Sequence, residues 1–386
     1  MSSSNRSKST RISITVWGFV AGMCLFWGLL ATVMLPSSRG HDFLNLYTGA
    51  SLALEGRFAD LHDTSVQLAR EQQFYPGREV LVPFVRPSFY AALLSPMALL
   101  PYQAAFVAWI AMQTALLIGV WVWVRRRFGP DALVFAALFL PGPLGIGAGQ
   151  DCALILAILA AAYELSERKK DLASGAMLAL MLIKFHLVLL WPLALLLQKR
   201  WKMLAGYCAA AALEVAVSVG LGGITGAKRY LALLQDKSLE RLSPSPELMV
   251  SWQGLMDNLN MSGSWAIGAL LASVIVVYVL AVRTAPLWRM FALTAAASLF
   301  IAPHVYAYDA ALLLVPVMLA IHLSTQKATR VAATFFSMPF TFGFALAGKP
   351  YSIVGSLALL GLLLLVAGES MATAEAAEFS TVPSEA

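Results

Sequence analysis

The sequence has little charge for its length. Only 12% of its 386 residues are Asp, Glu, Lys or Arg, 59% are apolar, and the mean hydropathy is +0.74. A water-soluble domain carries roughly 25% charged residues, so this composition excludes a soluble globular protein. We therefore predict an all-α polytopic membrane protein with about 12 transmembrane helices, some short or broken, at about 20 residues per crossing.

Cysteine patterns and nucleotide motifs are also missing. Cys24, Cys152 and Cys208 lie in separate apolar segments without CxxC spacing, so neither a disulfide framework nor a metal cluster is expected. The sequence has no P-loop, HExxH, GxSxG or Rossmann glycine pattern, and no nucleotide cofactor is predicted. The net charge of +6 is interpreted as an orientation signal in a membrane, and no nucleic-acid partner is expected.

The positions of the basic residues predict the topology. Arg6, Lys8 and Arg11 precede an apolar segment, residues 12–35, which is too long for the core of a signal peptide and is predicted to be a signal anchor. Further basic clusters follow at residues 125–127, 168–170 and 199–202. Placing these clusters in the cytoplasm gives a multi-pass membrane protein with both termini cytoplasmic.

This topology predicts one transmembrane domain, residues 1–368, followed by a disordered cytoplasmic tail, residues 369–386. Two large loops, residues 37–87 and 224–265, are expected on the extracytoplasmic side. In the first loop, Asp42 is predicted to cap an amphipathic helix at the membrane interface. A second amphipathic helix is expected at about Thr64–Phe74.

The stretch of residues 172–197 has basic clusters at both ends and must return to its starting side, although it is too short for two full spans. We predict two short helices that meet at Lys184–His186. A broken helix at membrane depth persists only where protein or water covers its backbone.

Polar residues in apolar surroundings fall at one extracytoplasmic level in this topology. An ionisable residue at membrane depth costs roughly 2.5–3.5 kcal/mol, so it indicates a site, a pathway or an ion pair. Arg86 could bind a lipid-linked phosphate or any lipid headgroup, and Lys184 could bind a phosphate or pair with an aspartate. The candidate residues are Asp42, Arg86, Gln150, Asp151, Lys184, His186, His304, Tyr306 and Asp309.

Several short motifs occur in a characteristic order. They are Asp42-Phe43 with Tyr47 and Gly56, Arg86-Pro87-Ser88-Phe89-Tyr90, Leu93 to Pro101, Gly149-Gln150-Asp151, Gly175 with Lys184, Lys199-Arg200-Trp201, Ser245-Pro246-Glu247-Leu248-Met249, and His304-Val305-Tyr306 with Asp309. In this order the sequence resembles glycosyltransferase family 87, whose best-known members are polyprenyl-phosphate-mannose-dependent α-1,2-mannosyltransferases. Departures from the common patterns include Val85-Arg86-Pro87, Lys184-Phe185-His186 and Gly149-Gln150-Asp151.

The resemblance implies a GT-C fold with an extracytoplasmic active site and no cofactor besides the donor substrate. Asp42 matches the family's general base in the first external loop. The implied reaction is an inverting transfer of a hexose, such as mannose, from a polyprenyl phosphate to a lipid or glycan acceptor. Cationic residues would stabilise the departing phosphate. A membrane transporter or lipid flippase with the same polar cavity is the alternative.

Overall fold

A computed structural model describes residues 41–77, 79–236 and 245–381, so the predicted signal anchor lies outside the described residues. Helices make up most of this part of the chain, and its only β-type pairing is an isolated bridge between Met249 and Tyr306. The α-helices are α1 (His41–Leu54), α2 (Thr64–Phe74), α3 (Ser88–Leu94), α4 (Tyr102–Phe128), α5 (Pro130–Leu138), α6 (Pro141–Ala148), α7 (Cys152–Glu167), α8 (Asp171–Ala179), α9 (Trp191–Leu197), α10 (Trp201–Gln235), α11 (Trp252–Asn258), α12 (Ser264–Val282), α13 (Leu287–Ile301), α14 (Leu314–Leu323), α15 (Lys327–Ser337), α16 (Pro339–Ala345) and α17 (Ile353–Thr381).

Four of the described helices, α4, α10, α12 and α17, are long and apolar enough to cross a membrane. Helices α5 and α6 together form a possible fifth span, bent by 49° between Leu138 and Pro141. Several other predicted spans are shorter helices, such as α7 with 16 residues and α13 with 15. The all-helical membrane architecture is confirmed, whereas the prediction of about 12 transmembrane helices is not.

The predicted first loop, residues 37–87, contains both expected helices, but α1 is enclosed by protein on most sides rather than along one face. Phe43, Leu46 and Leu52 are all buried, and burial extends around most of the helix. Asp42 lies within the first turn of α1 rather than at its N-cap. Helix α2 begins as predicted, with the Asp63 carboxylate accepting hydrogen bonds from the backbone N–H groups of the next turn.

The helix is interrupted where the sequence predicts a broken helix. Between α8 and α9 a 3-10 segment, Leu180–Leu187, contains Lys184 with non-helical φ and ψ of −123° and 62°. Helix α8 packs closely on α10 because both carry a glycine at the crossing. A Cβ on Gly175 would lie 1.8 Å from the Met203 carbonyl oxygen, and one on Gly206 would lie 2.0 Å from that of Leu172. This crossing fixes the segment that carries Lys184.

The basic segments meet at one end of the bundle, which we call the basic end. Arg127 forms an ion pair of 2.6 Å with Glu167, and Arg200 lies 3.6 Å from Asp171. The broken stretch therefore returns to its starting side, as predicted. Because α7 has 16 residues and rises about 1.5 Å per residue, Asp151 lies roughly 24 Å from the basic end.

Two predicted boundaries differ from the structure. Helix α10 resumes after a break at Gly223 (φ 63°, ψ −174°), so residues 224–235 are helical rather than part of a large loop, and Arg229 pairs with Asp60 at 2.7 Å. Helix α17 continues past residue 368, and Glu369 is 1% exposed. The disordered tail is therefore predicted too early, because Glu369 pairs with a buried arginine.

Candidate active site

Four charged side chains from four segments form a buried ion cluster, defined as Arg86, Asp151, Lys184 and Asp309. Arg86 donates two hydrogen bonds to Asp151, Nε to Oδ2 and Nη2 to Oδ1, both at 3.2 Å. Lys184 Nζ lies 2.7 Å from Asp309 Oδ1 and 3.2 Å from Asp151 Oδ1. All four residues are at most 6% exposed. The two cations and two carboxylates give the cluster a net charge of zero, and this pairing offsets part of the cost of burying each charge.

Residues 149–151 connect this cluster to helix α1. Gly149 has φ +80°, and a Cβ there would lie 2.8 Å from Phe43 Cβ and 3.0 Å from Phe43 N. The Gly149 carbonyl accepts a hydrogen bond of 2.9 Å from the Trp109 indole, and Gln150 accepts one of 2.8 Å from Lys184. A glycine at this position therefore lets the start of α1 lie directly against the segment that carries Asp151.

The loop between α13 and the 3-10 segment Asp309–Leu313 forms another wall. The Tyr306 backbone N–H donates to Asp309 Oδ2 at 3.1 Å, while the other oxygen of Asp309 faces Lys184. Val250 N donates to the Val305 carbonyl at 2.8 Å, so residues from the second large loop support this wall. Lys184 Nζ also lies 5.6 Å from the centre of the Tyr308 ring.

Asp42 lies beside this loop. Its carboxylate interacts electrostatically with His304, Tyr306 and Tyr308. Burial raises the pKa of Tyr306 to about 12, and the charges of Asp42 and Glu247 add to this effect. The first turn of α1 and the 304–309 loop thus face each other, with a half-buried carboxylate on one side and His304 on the other.

His186 lies two residues beyond Lys184 in the broken helix. It interacts electrostatically with Arg86, Lys184, His304 and Asp151, so it belongs to the same polar region. All nine predicted site residues are therefore in one part of the molecule. The structure adds that Arg86 and Lys184 are already held by carboxylates, which is the ion-pair alternative left open for Lys184 by the sequence.

Sequence reasoning missed His62, which is buried behind the ion cluster. Its Nε2 lies 2.9 Å from the Arg86 carbonyl oxygen, and its ring contacts the Tyr230 ring at a centroid distance of 4.5 Å. Burial lowers the pKa of His62 to about 4, so the ring is neutral at pH 7 and donates from Nε2. His62 lies between two helices of a loop, and no sequence motif distinguishes it from a surface histidine.

Within the described residues, no three His, Cys, Asp or Glu side chains come together as a metal site. The polar groups at this position are one half-buried carboxylate, two histidines, tyrosines and the ion cluster. A carboxylate is suited to accept a proton from an attacking hydroxyl. Cationic groups and histidines are suited to stabilise an oxyanion or a phosphate.

Comparison with known proteins agrees with this chemistry. No curated protein matches the chain, and no solved structure matches it, so the GT-C arrangement stays a prediction. A family model, described as glycosyltransferase family 87, matches residues 84–305, which include the ion cluster apart from Asp309 and most of the helical bundle. The chain therefore belongs to glycosyltransferase family 87 and is a membrane glycosyltransferase.

Proposed function

We propose that the chain transfers a hexose from a polyprenyl-phosphate donor to a lipid or glycan acceptor, with inversion at the anomeric carbon. Mannose is the first sugar to test. The reaction would occur at the extracytoplasmic face of a bacterial inner membrane, at the end of the bundle away from the basic end. Membrane lipids and the lipid-linked sugar would then be the partners of the chain.

The position of Asp42 is the observation that carries this proposal. Its carboxylate is half-buried beside His304, Tyr306 and Tyr308, at the rim of the ion cluster. In the proposed step the acceptor hydroxyl loses its proton to Asp42 while its oxygen bonds to the anomeric carbon. The bond from that carbon to the phosphate oxygen breaks, and the polyprenyl phosphate leaves with the electron pair.

The arginine, the lysine and the two histidines would act on the departing phosphate, but not all in the same way. His304 and His186 lie in the polar region that faces Asp42. Arg86 and Lys184 are paired with Asp151 and Asp309. Each would therefore bind the phosphate either while keeping its aspartate as a second partner or after releasing that aspartate. Gln150, which accepts from Lys184, helps to orient that amine.

Family membership supports transfer over the transporter or flippase alternative. A transporter would need its polar residues to line a path between the two sides of the membrane. Here Asp151 and its partners lie at one end, roughly 24 Å (1.5 Å per residue over α7) from the basic end. The test below separates the two functions, because a flippase moves the lipid-linked sugar without cleaving it.

The test is incubation of purified protein in lipid vesicles with a panel of synthetic polyprenyl-phosphate sugars, followed by measurement of the released carrier. We expect release with at least one hexose donor when an acceptor is present. Asp42→Asn should abolish that release without changing expression or thermal stability. Movement of intact donor across the vesicle without release, or wild-type release by the variant, would overturn the proposal.

A further inference from the structure

An apolar cavity of about 430 Å³ lies between α3, the broken helix and α10. Its walls include Pro87, Phe89, Leu182, Phe185 and Tyr230. Pro87 follows Arg86 and Phe185 follows Lys184, so the cavity adjoins the ion cluster without containing any of its members. Such a cavity admits an apolar chain rather than a sugar.

One carboxyl group interrupts these apolar walls. Glu214, on α10, lines the cavity and is 8% exposed. Neither of its oxygens has a hydrogen-bond partner among the described residues. One turn along the same helix, Ser218 Oγ accepts a hydrogen bond of 3.2 Å from the Phe89 backbone N–H, so this face of α10 is fixed against α3. Since buried polar groups are normally satisfied, Glu214 is a group without its partner.

The cavity opens toward the lipid-facing surface of a candidate membrane span. Val215 and Leu231 also line it and are 62% and 57% exposed. Helix α10 is one of the four described helices that are long and apolar enough to cross a membrane. In a membrane, exposed apolar side chains of such a helix would face hydrocarbon. A ligand would therefore enter from the bilayer.

We propose that this cavity binds a hydroxyl-bearing membrane lipid, whose hydrocarbon chain fills the apolar space and whose hydroxyl group hydrogen-bonds to Glu214. A polyprenyl chain has no hydrogen-bond donor along its length and would leave Glu214 unsatisfied. A lipid ammonium group would create a buried ion pair, whose desolvation cost can exceed its Coulombic gain. A hydroxyl group satisfies the carboxyl group and requires no charge on either side.

The test compares three probes with the full-length protein in detergent, using a fluorescent-lipid displacement assay. Monoolein and methyl oleate share the same chain, but only monoolein carries free hydroxyl groups, and farnesyl acetate represents an isoprenoid chain without a donor. We expect monoolein to bind about tenfold more tightly than either other probe, as one added hydrogen bond allows. Equal binding of all three would overturn the proposal.

Two variants and one control give the test its specificity. Glu214→Leu should remove the preference for monoolein while methyl oleate still binds. Ala211→Trp places a large side chain in the cavity wall and should weaken both probes at least tenfold. Val217 lies on an exposed part of α10 outside the cavity, so Val217→Leu should change the binding of neither probe. A monoolein preference retained by Glu214→Leu, or unchanged binding in Ala211→Trp, would contradict the assignment. Because no donor substrate is present, the outcome is independent of the proposed transfer.

Discussion

Two buried ionic groups lie at opposite ends of the bundle, and their surroundings differ. The ion cluster joins Arg86, Asp151, Lys184 and Asp309 beside Asp42 and the 304–309 loop. At the basic end, Arg289 pairs with Glu369 at 2.9 Å, and Glu369 also accepts hydrogen bonds from Ser324 and Thr325. Both are almost inaccessible to solvent.

The second pair is enclosed by the connection between α14 and α15. The Thr325 N–H and the Ser324 hydroxyl saturate Glu369, and Arg289 also donates to the Glu369 carbonyl. At the ion cluster, by contrast, two histidines and a half-buried carboxylate lie next to the paired charges. Burial and pairing alone therefore do not mark a functional site, and the further titratable side chains beside the paired charges are the better indication.

Removing one partner from each group tests this comparison most strongly. Lys184→Met and Glu369→Gln each leave a buried charge uncompensated and should destabilise the protein by about 3–5 kcal/mol. Transfer per folded molecule should be lost in Lys184→Met and kept in Glu369→Gln. The measurement is thermal unfolding in detergent combined with transfer normalised to folded protein. Equal loss of normalised transfer in both variants would remove the distinction between the two groups.

A smaller effect is expected from moving Asp42 without changing its chemistry. Gly149→Ala places a Cβ 2.8 Å from Phe43 Cβ at a residue with φ +80°, so the start of α1 must shift. Gly147→Ala is the matched control, because nothing lies within 4 Å of its Cβ. We expect transfer to fall at least about tenfold in the first variant, as small displacements of a catalytic group do, and to stay unchanged in the second.

Transfer measured at saturating donor, with circular dichroism to confirm helix content, checks this prediction. Equal activity of the Gly149 and Gly147 variants would show that the contact with Phe43 does not position Asp42.

The smallest effect concerns pH and His62. Burial lowers the pKa of His62 from 6.5 to about 4. Between pH 6.5 and about pH 4 the unfolded protein therefore binds a proton that the folded protein does not, and the folded state loses stability as the pH falls. His62→Gln keeps a donor for the Arg86 carbonyl but does not titrate. The variant should lose less stability on acidification than the wild-type protein, and the two slopes should differ by up to about 1.4 kcal/mol per pH unit. Melting temperatures from pH 7 to pH 4.5 measure this slope, and an unchanged slope would contradict the assignment.

Much of the site could be predicted from the sequence because ionisable residues are conspicuous in apolar segments. The break at Lys184 was predictable from the basic clusters that flank it, and the helix Thr64–Phe74 from its amphipathic sequence. The burial of α1 was not, because its apolar residues fit both an interfacial helix and a helix enclosed by others. The number of spans is not confirmed, because many described helices, such as α7 and α13, are shorter than a full crossing.

Pairing partners were the least predictable feature. Lys184 had two candidate aspartates in the sequence, and the structure brings both within 3.2 Å of its amine. Glu369 lies so close to the C-terminus that composition assigned it to a tail, whereas its contact with Arg289 forms across 80 residues of chain. Only three-dimensional packing determines such distant pairs.

The proposal that Asp42 is the general base can be tested with Glu247 as the control residue. Asp42 and Glu247 are two carboxylates that both interact with Tyr306, yet only Asp42 also faces His304 and Tyr308. Single-turnover transfer should therefore be measured for Asp42→Asn and Glu247→Gln with a donor that the wild-type protein uses. We predict a loss of at least about 100-fold for Asp42→Asn, within the usual range for a general base, and near-normal transfer for Glu247→Gln. Normal transfer by Asp42→Asn would contradict this role, whatever the result for Glu247→Gln.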